Sequence, residues 1–163
     1  MDIQLVTLAE HPEFIRWVAE EHFREWGAAH PGVTLDAWES DRRGTCRDEV
    51  PCTLLALCDS APIGTAGLVA CDMDTHPELT PWLSGVYVTP AWRRRGVGTA
   101  LVRAATARAA RWGVRRLYLY TESAERFYAH LGWTALRRER YNGLAVTIMD
   151  RDLSADAPPR GAS

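Results

Sequence analysis

Residues 86–101 read VYVTPAWRRRGVGTAL, and the order of residue types in this stretch decides the architecture. The apolar segment Trp82 to Val88 reads as a buried strand, closed by Thr89-Pro90 because proline cannot donate to a central ladder. A loop of three arginines and two glycines follows. From Thr99 to Trp112, Leu101, Ala105, Ala109 and Trp112 recur on one face of a helix, which Gly113 ends. A strand that passes through a glycine loop into a helix presents free main-chain amides, and the positive end of the helix dipole, to an anion. Gly96 and Gly98 allow close approach to the backbone, and the neighbouring arginines add charge to the donors. The loop therefore reads as a pyrophosphate site. A dinucleotide fingerprint would need a third glycine and an acid about 20 residues on. The run here is Gly-Val-Gly-Thr-Ala-Leu, with no acid between Gly98 and Glu122.

Working outward, residues 3–8 read as a short strand and His11 to Trp26 as an amphipathic helix stopped by Gly27. Thr34 reads as the N-cap of a second short helix ending near Gly44. Cys52 to Cys58 and Ile63 to Cys71 are apolar runs joined by the turn-forming set Asp59-Ser60-Ala61-Pro62, a hairpin. Beyond the central helix, Arg115 to Thr121 reads as a strand covered on both faces, with Leu117 and Leu119 opposite Tyr118 and Tyr120. A short helix, Ser123 to Leu131, and two closing strands, Trp133 to Arg138 and Leu144 to Arg151, complete the pattern. The chain divides into a single domain over 1–153 and a tail, 154–163, that lacks apolar residues to bury and is expected to be disordered.

The 163 residues, 47% hydrophobic and 25% charged, describe an ordinary globular composition. No apolar run reaches the ~20 residues of a membrane helix. The N-terminus lacks a basic segment followed by an apolar one, so a cytoplasmic location is expected. Lysine is absent, which excludes a Walker A loop and Schiff-base chemistry. Cys46, Cys52, Cys58 and Cys71 show no C-x-x-C pair and read as reduced structural thiols rather than metal ligands. The net charge of −2 conceals a division. Residues 1–82 carry fifteen carboxylates and five arginines, whereas residues 83–121 carry eight arginines and no carboxylate. A basic block behind an acidic one suggests an anionic ligand in mid-chain and a cationic one bound nearby.

At these residues the sequence resembles the GCN5-related N-acetyltransferase superfamily. Arg93-Arg94-Arg95-Gly96-Val97-Gly98 matches its Arg/Gln-x-x-Gly-x-Gly/Ala hallmark, with Val88, Thr89 and Pro90 in the place of the preceding Val-x-Pro. A second landmark, Ala-x-x-Phe/Leu-Tyr-x-x-x-Gly-Phe, is matched by Ala124, Phe127, Tyr128, Gly132 and Trp133. The order of elements agrees from residue 3 to residue 152, while the specific motifs occupy residues 86–133. The resemblance implies an α+β (α/β) fold, a mixed and mostly antiparallel central sheet. Together with the pattern above, that means about six to seven strands and about four helices.

The implied activity is acetyl transfer from acetyl-CoA to a primary amine by direct attack in a ternary complex. Carried over to this sequence, Val86 and Val88 offer a strand edge to the pantetheine, and Gly85 is a bulge candidate. A main-chain N–H there would polarise the thioester carbonyl. Arg93, Arg94, Arg95, Gly96, Val97, Gly98 and Thr99 would hold the pyrophosphate. Tyr128 stands where the family has the acid that returns a proton to the leaving thiolate, and a phenol of pKa ~10 is protonated for that task.

Two positions depart from the family pattern. Thr121 replaces the asparagine commonly found there and leaves one cofactor contact open. Ser84 occupies the strand position where many members carry a glutamate base, and a serine cannot take up an amine's proton. Asp72, Asp74, His76 and Glu78 in the preceding loop, and Glu122 beyond the next strand, are the remaining base candidates. With Trp82, Tyr87, Trp26 and Trp38 they would line an acceptor site for a small-molecule, peptide or protein amine of cationic character. His22, His30 and His130 have no partner visible in the sequence and read as surface or capping residues. The alternative function is a non-catalytic acyl-CoA-binding or regulatory module. Nucleic acid and membrane partners are not expected, and a homodimer, common among relatives, stays open.

Overall fold

The computed structural model describes residues 2–156. Its elements run β1 (Ile3–Thr7), α1 (Ile15–Trp26), α2 (Leu35–Arg42), β2 (Cys52–Cys58), β3 (Ala61–Val69), β4 (Trp82–Val88), α3 (Val97–Arg111), β5 (Arg116–Thr121), α4 (Glu125–His130), β6 (Thr134–Tyr141) and β7 (Leu144–Asp152). The strands form one sheet in the order β1-β2-β3-β4-β5-β7-β6, and β4–β5 is its parallel pair. This is the mixed, mostly antiparallel arrangement expected. Among the described residues no helix is long and apolar enough to cross a membrane. Ser154 to Asp156, the first residues of the expected disordered tail, form a turn in which Arg151 pairs with Asp156 at 2.8 Å. Residues 157–163 lie outside those described.

Both faces of the inner strands are covered, and β2, β3 and β7 are correspondingly apolar on both sides, whereas the edge strand β6 is charged and exposed. On β2, Leu54, Ala56 and Cys58 pack beneath α3 with Leu101, Val102 and Ala105, while Leu55 and Leu57 meet Ile15 and Val18 of α1. Farther along the α1 side, Trp82, Val146 and Ile148 close over Met73 from the β3–β4 loop. Between these two apolar clusters, β3 and β4 present Thr65, Ser84 and glycine on the same face. They leave a polar gap between the two clusters.

Boundary differences have local causes. The expected first helix begins as a 3-10 turn at Pro12–Phe14 and becomes α-helical at Ile15. Thr34 does cap α2, its hydroxyl accepting the Ala37 amide at 3.1 Å. The hairpin turn is tighter than expected. Asp59 and Ser60 take φ of 49° and 62°, the pattern of a two-residue primed turn, so β3 starts at Ala61. Pro62 is tolerated because the register slips beside it, a bulge where no ladder amide is needed.

Candidate active site

The cofactor side is built by the way β4 ends. β4 pairs with β3 through Thr65–Tyr87 and Gly67–Ser84, so one extra residue is inserted at Gly85-Val86. Gly85 has φ of +59°, which confirms the bulge read from its place inside a strand. On its other edge β4 meets β5 only at Trp82–Tyr118. Beyond that pair the two strands part, leaving the edge that carries Val86 and Val88 open.

At the end of that edge the chain turns through Arg94 (φ +60°) and Gly96 (φ +82°) into α3. Alternation of right- and left-handed backbone curls successive N–H groups into an anion-binding concavity. Among the described residues, none of the amides from Arg94 to Thr99 donates to a backbone carbonyl. A Cβ placed on Gly96 would meet nothing within 4 Å, so the loop is open on its outer side. These unpaired donors fit a pyrophosphate.

The individual side chains divide. The Val97 side chain is buried in the core beneath α3, leaving only its amide to a ligand. Arg93 turns back: its Nε donates to the Val88 carbonyl at 2.9 Å, its guanidinium lies 5.8 Å from the Tyr87 ring centroid, and Glu25 sits 3.7 Å away. It braces the end of β4. Arg95 stacks over Trp92 at 5.3 Å, and Arg94 is exposed. Thr121 Oγ1 accepts the Ala124 amide at 3.0 Å, closing the turn that leads from β5 into α4.

Tyr128, on α4, is buried against Phe127 and Trp133 at ring separations of 5.0 and 6.2 Å. Phe127 and Val88 both approach Gly98, at 3.6 and 3.7 Å from the position of a Cβ there, so α4 lies against the start of α3. Burial pushes the Tyr128 phenol up to about 12, and it stays protonated throughout the neutral range.

On the acceptor side, the polar gap is occupied by groups from five segments, β3, β4, the loop between them, α1 and α2. Ser84 Oγ donates to Asp72 Oδ1 at 3.0 Å. Desolvation raises the Asp72 carboxyl to about 6, against the opposing pull of the Ser84 hydroxyl and the charge of Arg42. His22 lies under Gly85 with its Nε2 2.8 Å from Thr65 Oγ1 and its Nδ1 3.3 Å from Arg42. Trp26 and Tyr87 flank the ring at centroid distances of 4.9 and 6.4 Å, and the Tyr87 hydroxyl donates to Glu21. His22 is 3% exposed, so the surface or capping role read from sequence is wrong for it. Helical spacing could have found it, since His22 shares the buried face of α1 with Ile15, Val18 and Ala19. His130 does cap, its Nδ1 donating to the Arg126 carbonyl at 2.6 Å. Arg42 and Thr65 carry no local signal.

The other sequence candidates are buried, packed, paired elsewhere or exposed. Trp82 is fully buried, with its indole N–H donated to the Leu79 carbonyl, and lines no opening. His76 bridges Glu139 and Glu78 at 2.8 and 3.1 Å and ties the β3–β4 loop to β6. Asp74 accepts the Tyr141 hydroxyl at 3.1 Å, and Tyr141 in turn meets Tyr120 edge-on at 5.5 Å. Glu122 is exposed. Trp38 packs on Phe23 and His30, away from the bulge.

The sequence matches the acetyltransferase (GNAT) family over residues 11–133. The chain belongs to that family. Acyl transfer from acetyl-CoA is accordingly its general chemistry, with acetyl-CoA as cosubstrate. Comparison with curated proteins finds no match. Among solved structures, an aminoglycoside 6'-N-acetyltransferase complexed with coenzyme A superposes with a TM-score of 0.74 at 16% identity, covering 99% of this chain and 100% of that one. A GCN5-related N-acetyltransferase from Rhodopseudomonas palustris gives 0.68 at 23% identity over 94% and 97% of the two chains. A GNAT-family acetyltransferase from Streptococcus pneumoniae gives 0.68 at 16% identity over 93% and 99%. These likenesses establish the GNAT fold for the present chain.

Proposed function

We propose that this acetyltransferase acylates a primary amine of cationic character, and that Asp72 and Tyr128 carry the proton transfers. The observation that carries the reading is the pairing of Asp72 with Ser84 at the polar gap, beside the opened edge of β4. Acetyl-CoA supplies an activated acyl thioester. The amides of Arg94 to Thr99 bind its pyrophosphate and the edge at Val86 and Val88 orients the rest.

An amine of pKa ~10.4 arrives protonated and must lose a proton before it can attack. Asp72 is the carboxylate suited to accept it: raised to about 6, it is ionised at neutral pH yet more basic than an exposed aspartate. Tyr128, protonated and buried, returns a proton to the departing thiolate. Asp74 and Glu122, with the rings of Tyr120 and Tyr141, extend the acidic and aromatic character outward from Asp72, which favours a cationic acceptor.

The test is coenzyme A release from acetyl-CoA across a panel of polyamine-like, basic-peptide and acidic-peptide amines at low and high salt. Faster turnover of cationic amines, declining as salt screens the attraction beyond ~8 Å, is the expected result. Faster turnover of acidic acceptors overturns the acceptor assignment. Tight acetyl-CoA binding with no thiol release for any amine would instead make the chain a non-catalytic acyl-CoA-binding module.

A further inference from the structure

His22, Thr65 and Arg42 belong to no motif, yet they form an unbroken hydrogen-bonded chain that ends on the backbone of β4. Arg42 Nη2 lies 3.3 Å from His22 Nδ1, His22 Nε2 lies 2.8 Å from Thr65 Oγ1, and Thr65 Oγ1 lies 2.7 Å from the Gly85 carbonyl oxygen. The two ends dictate the direction of every link. A guanidinium can only donate and a carbonyl can only accept. Arg42 therefore donates to Nδ1, Nε2 carries the ring proton and donates to Thr65, and Thr65 donates to Gly85. A second proton on the ring would set one N–H against another, and burial together with the Arg42 charge holds His22 down to about 3. The chain is thus permanently polarised in one sense at physiological pH. Thr65 is fully buried and His22 nearly so, so breaking one link would strand polar groups away from water.

The place where this chain ends is specific. Gly85 is the bulge residue, and a Cβ on it would lie 3.0 Å from His22 Cε1, so the imidazole sits directly against the bulge. The Gly85–Val86 peptide is trans, and in a trans peptide the carbonyl and the N–H point in opposite directions. With the carbonyl held by Thr65 of β3, the Val86 N–H is turned away from β3. The edge of β4 away from β3 is the one from which β5 has parted.

We propose that Arg42, His22 and Thr65 are positioning residues that lock the bulge peptide and so preorganise the Val86 N–H as the donor to the acyl oxygen of the thioester. This rests on the reading of the open β4 edge as the acyl site and adds to it what holds the donor in place. A bulge peptide without such a tether can rotate, and a donor that must first be oriented stabilises developing charge less than one already aimed.

The experiment compares wild type with Thr65→Val, Thr65→Ser and His22→Leu, reading kcat, the affinities for acetyl-CoA and CoA by calorimetry, and melting temperature. Valine preserves the shape and β-branching of threonine but removes the hydroxyl, whereas serine keeps it. Thr65→Val should lower kcat roughly 10- to 100-fold while CoA affinity stays within about threefold. It should also weaken acetyl-CoA binding relative to CoA, since only the former carries the acyl oxygen. Thr65→Ser should retain kcat within about threefold, and adding His22→Leu to Thr65→Val should cost little more, because both cut one chain. Unchanged kcat in Thr65→Val, or equal losses of CoA affinity and kcat that serine does not rescue, would overturn the proposal. Ring-nitrogen NMR of the wild-type protein provides a readout independent of any variant's folding. His22 should appear as the Nε2–H tautomer between pH 6 and 8, and an Nδ1–H or doubly protonated ring would break the chain as drawn. Thiol release by wild type in the same assay tests the acyl-site reading itself, whereas the ratio of acetyl-CoA to CoA affinity and the ring tautomer test the tether.

Discussion

Ser84 Oγ and Asp72 Oδ1 stand 3.0 Å apart, linking the third residue of β4 to the loop that leads into that strand. The hydroxyl donates and the carboxylate accepts, so the serine fixes the orientation of the proposed base. The carboxylate is half-buried, and desolvation is the larger influence on its proton affinity, opposed by the Ser84 hydroxyl and the charge of Arg42. A desolvated carboxylate raised toward neutrality is a poor contribution to folding and a good proton acceptor.

Asp72→Asn, which keeps the size and the acceptor for Ser84, should lower kcat/KM roughly 10²- to 10⁴-fold and abolish the acidic limb near pH 6 in the wild-type pH–rate profile. The stability effect has the opposite sign. Because the folded-state value lies above the ordinary 3.8, Asp72 stabilises the fold only at low pH, and this contribution is lost as pH rises through about 6. Calorimetric melting should therefore show Asn raising Tm relative to wild type more at pH 8 than at pH 4.5. A profile whose limb survives in the variant assigns the base elsewhere.

Tyr128→Phe leaves the ring packed against Phe127 and Trp133 and removes only the hydroxyl. Turnover should fall roughly 10²- to 10⁴-fold, with CoA affinity held within a few-fold. Paired measurements of kcat and the CoA dissociation constant decide between roles: unchanged kcat would reduce Tyr128 to packing, and a large loss of CoA affinity would make it a ligand contact.

Gly96→Glu combines an L-residue at φ +82° with a carboxylate on the face of the anion-binding loop. Thermal-shift assays should show no stabilisation of this variant by acetyl-CoA. Gly96→Asn, which tolerates left-handed backbone and adds no charge, should keep part of the shift. An undiminished shift in the glutamate variant would mean the pyrophosphate binds elsewhere.

His76 marks a different pH dependence. Its hydrogen bonds to Glu139 and then Glu78 raise its proton affinity above the ordinary value. The stabilisation is fully present below the ordinary 6.5 and is lost as pH rises through the raised value. His76→Gln should thus lower Tm more at pH 6 than at pH 9.5, with kcat at pH 7.5 unchanged. Equal destabilisation at both pH values would show that the ion pairs contribute nothing.

Much of this molecule was legible in short stretches. The strand–loop–helix run at 82–112, the hairpin turning after Cys58, the Thr34 cap and the Gly85 bulge are each governed by a few consecutive residues whose backbone preferences agree. The sequence alone therefore determined the order of elements, the open glycine–arginine loop before α3 and the family. Its side-chain roles were less secure, because periodicity reports that a position faces the interior without reporting what it meets there. Trp82 read as a pocket wall and is core. His22 read as surface and is buried against the bulge. Five acidic or imidazole side chains were interchangeable candidates for the base in the sequence, whereas the fold pairs Asp72 with Ser84 and holds His76 between Glu78 and Glu139. Tertiary structure alone decided these pairings, because Asp72 with Ser84, His22 with Thr65 and Arg42 with His22 join residues 12 to 43 positions apart. The energy of each such contact depends on distance and desolvation, which no local pattern encodes.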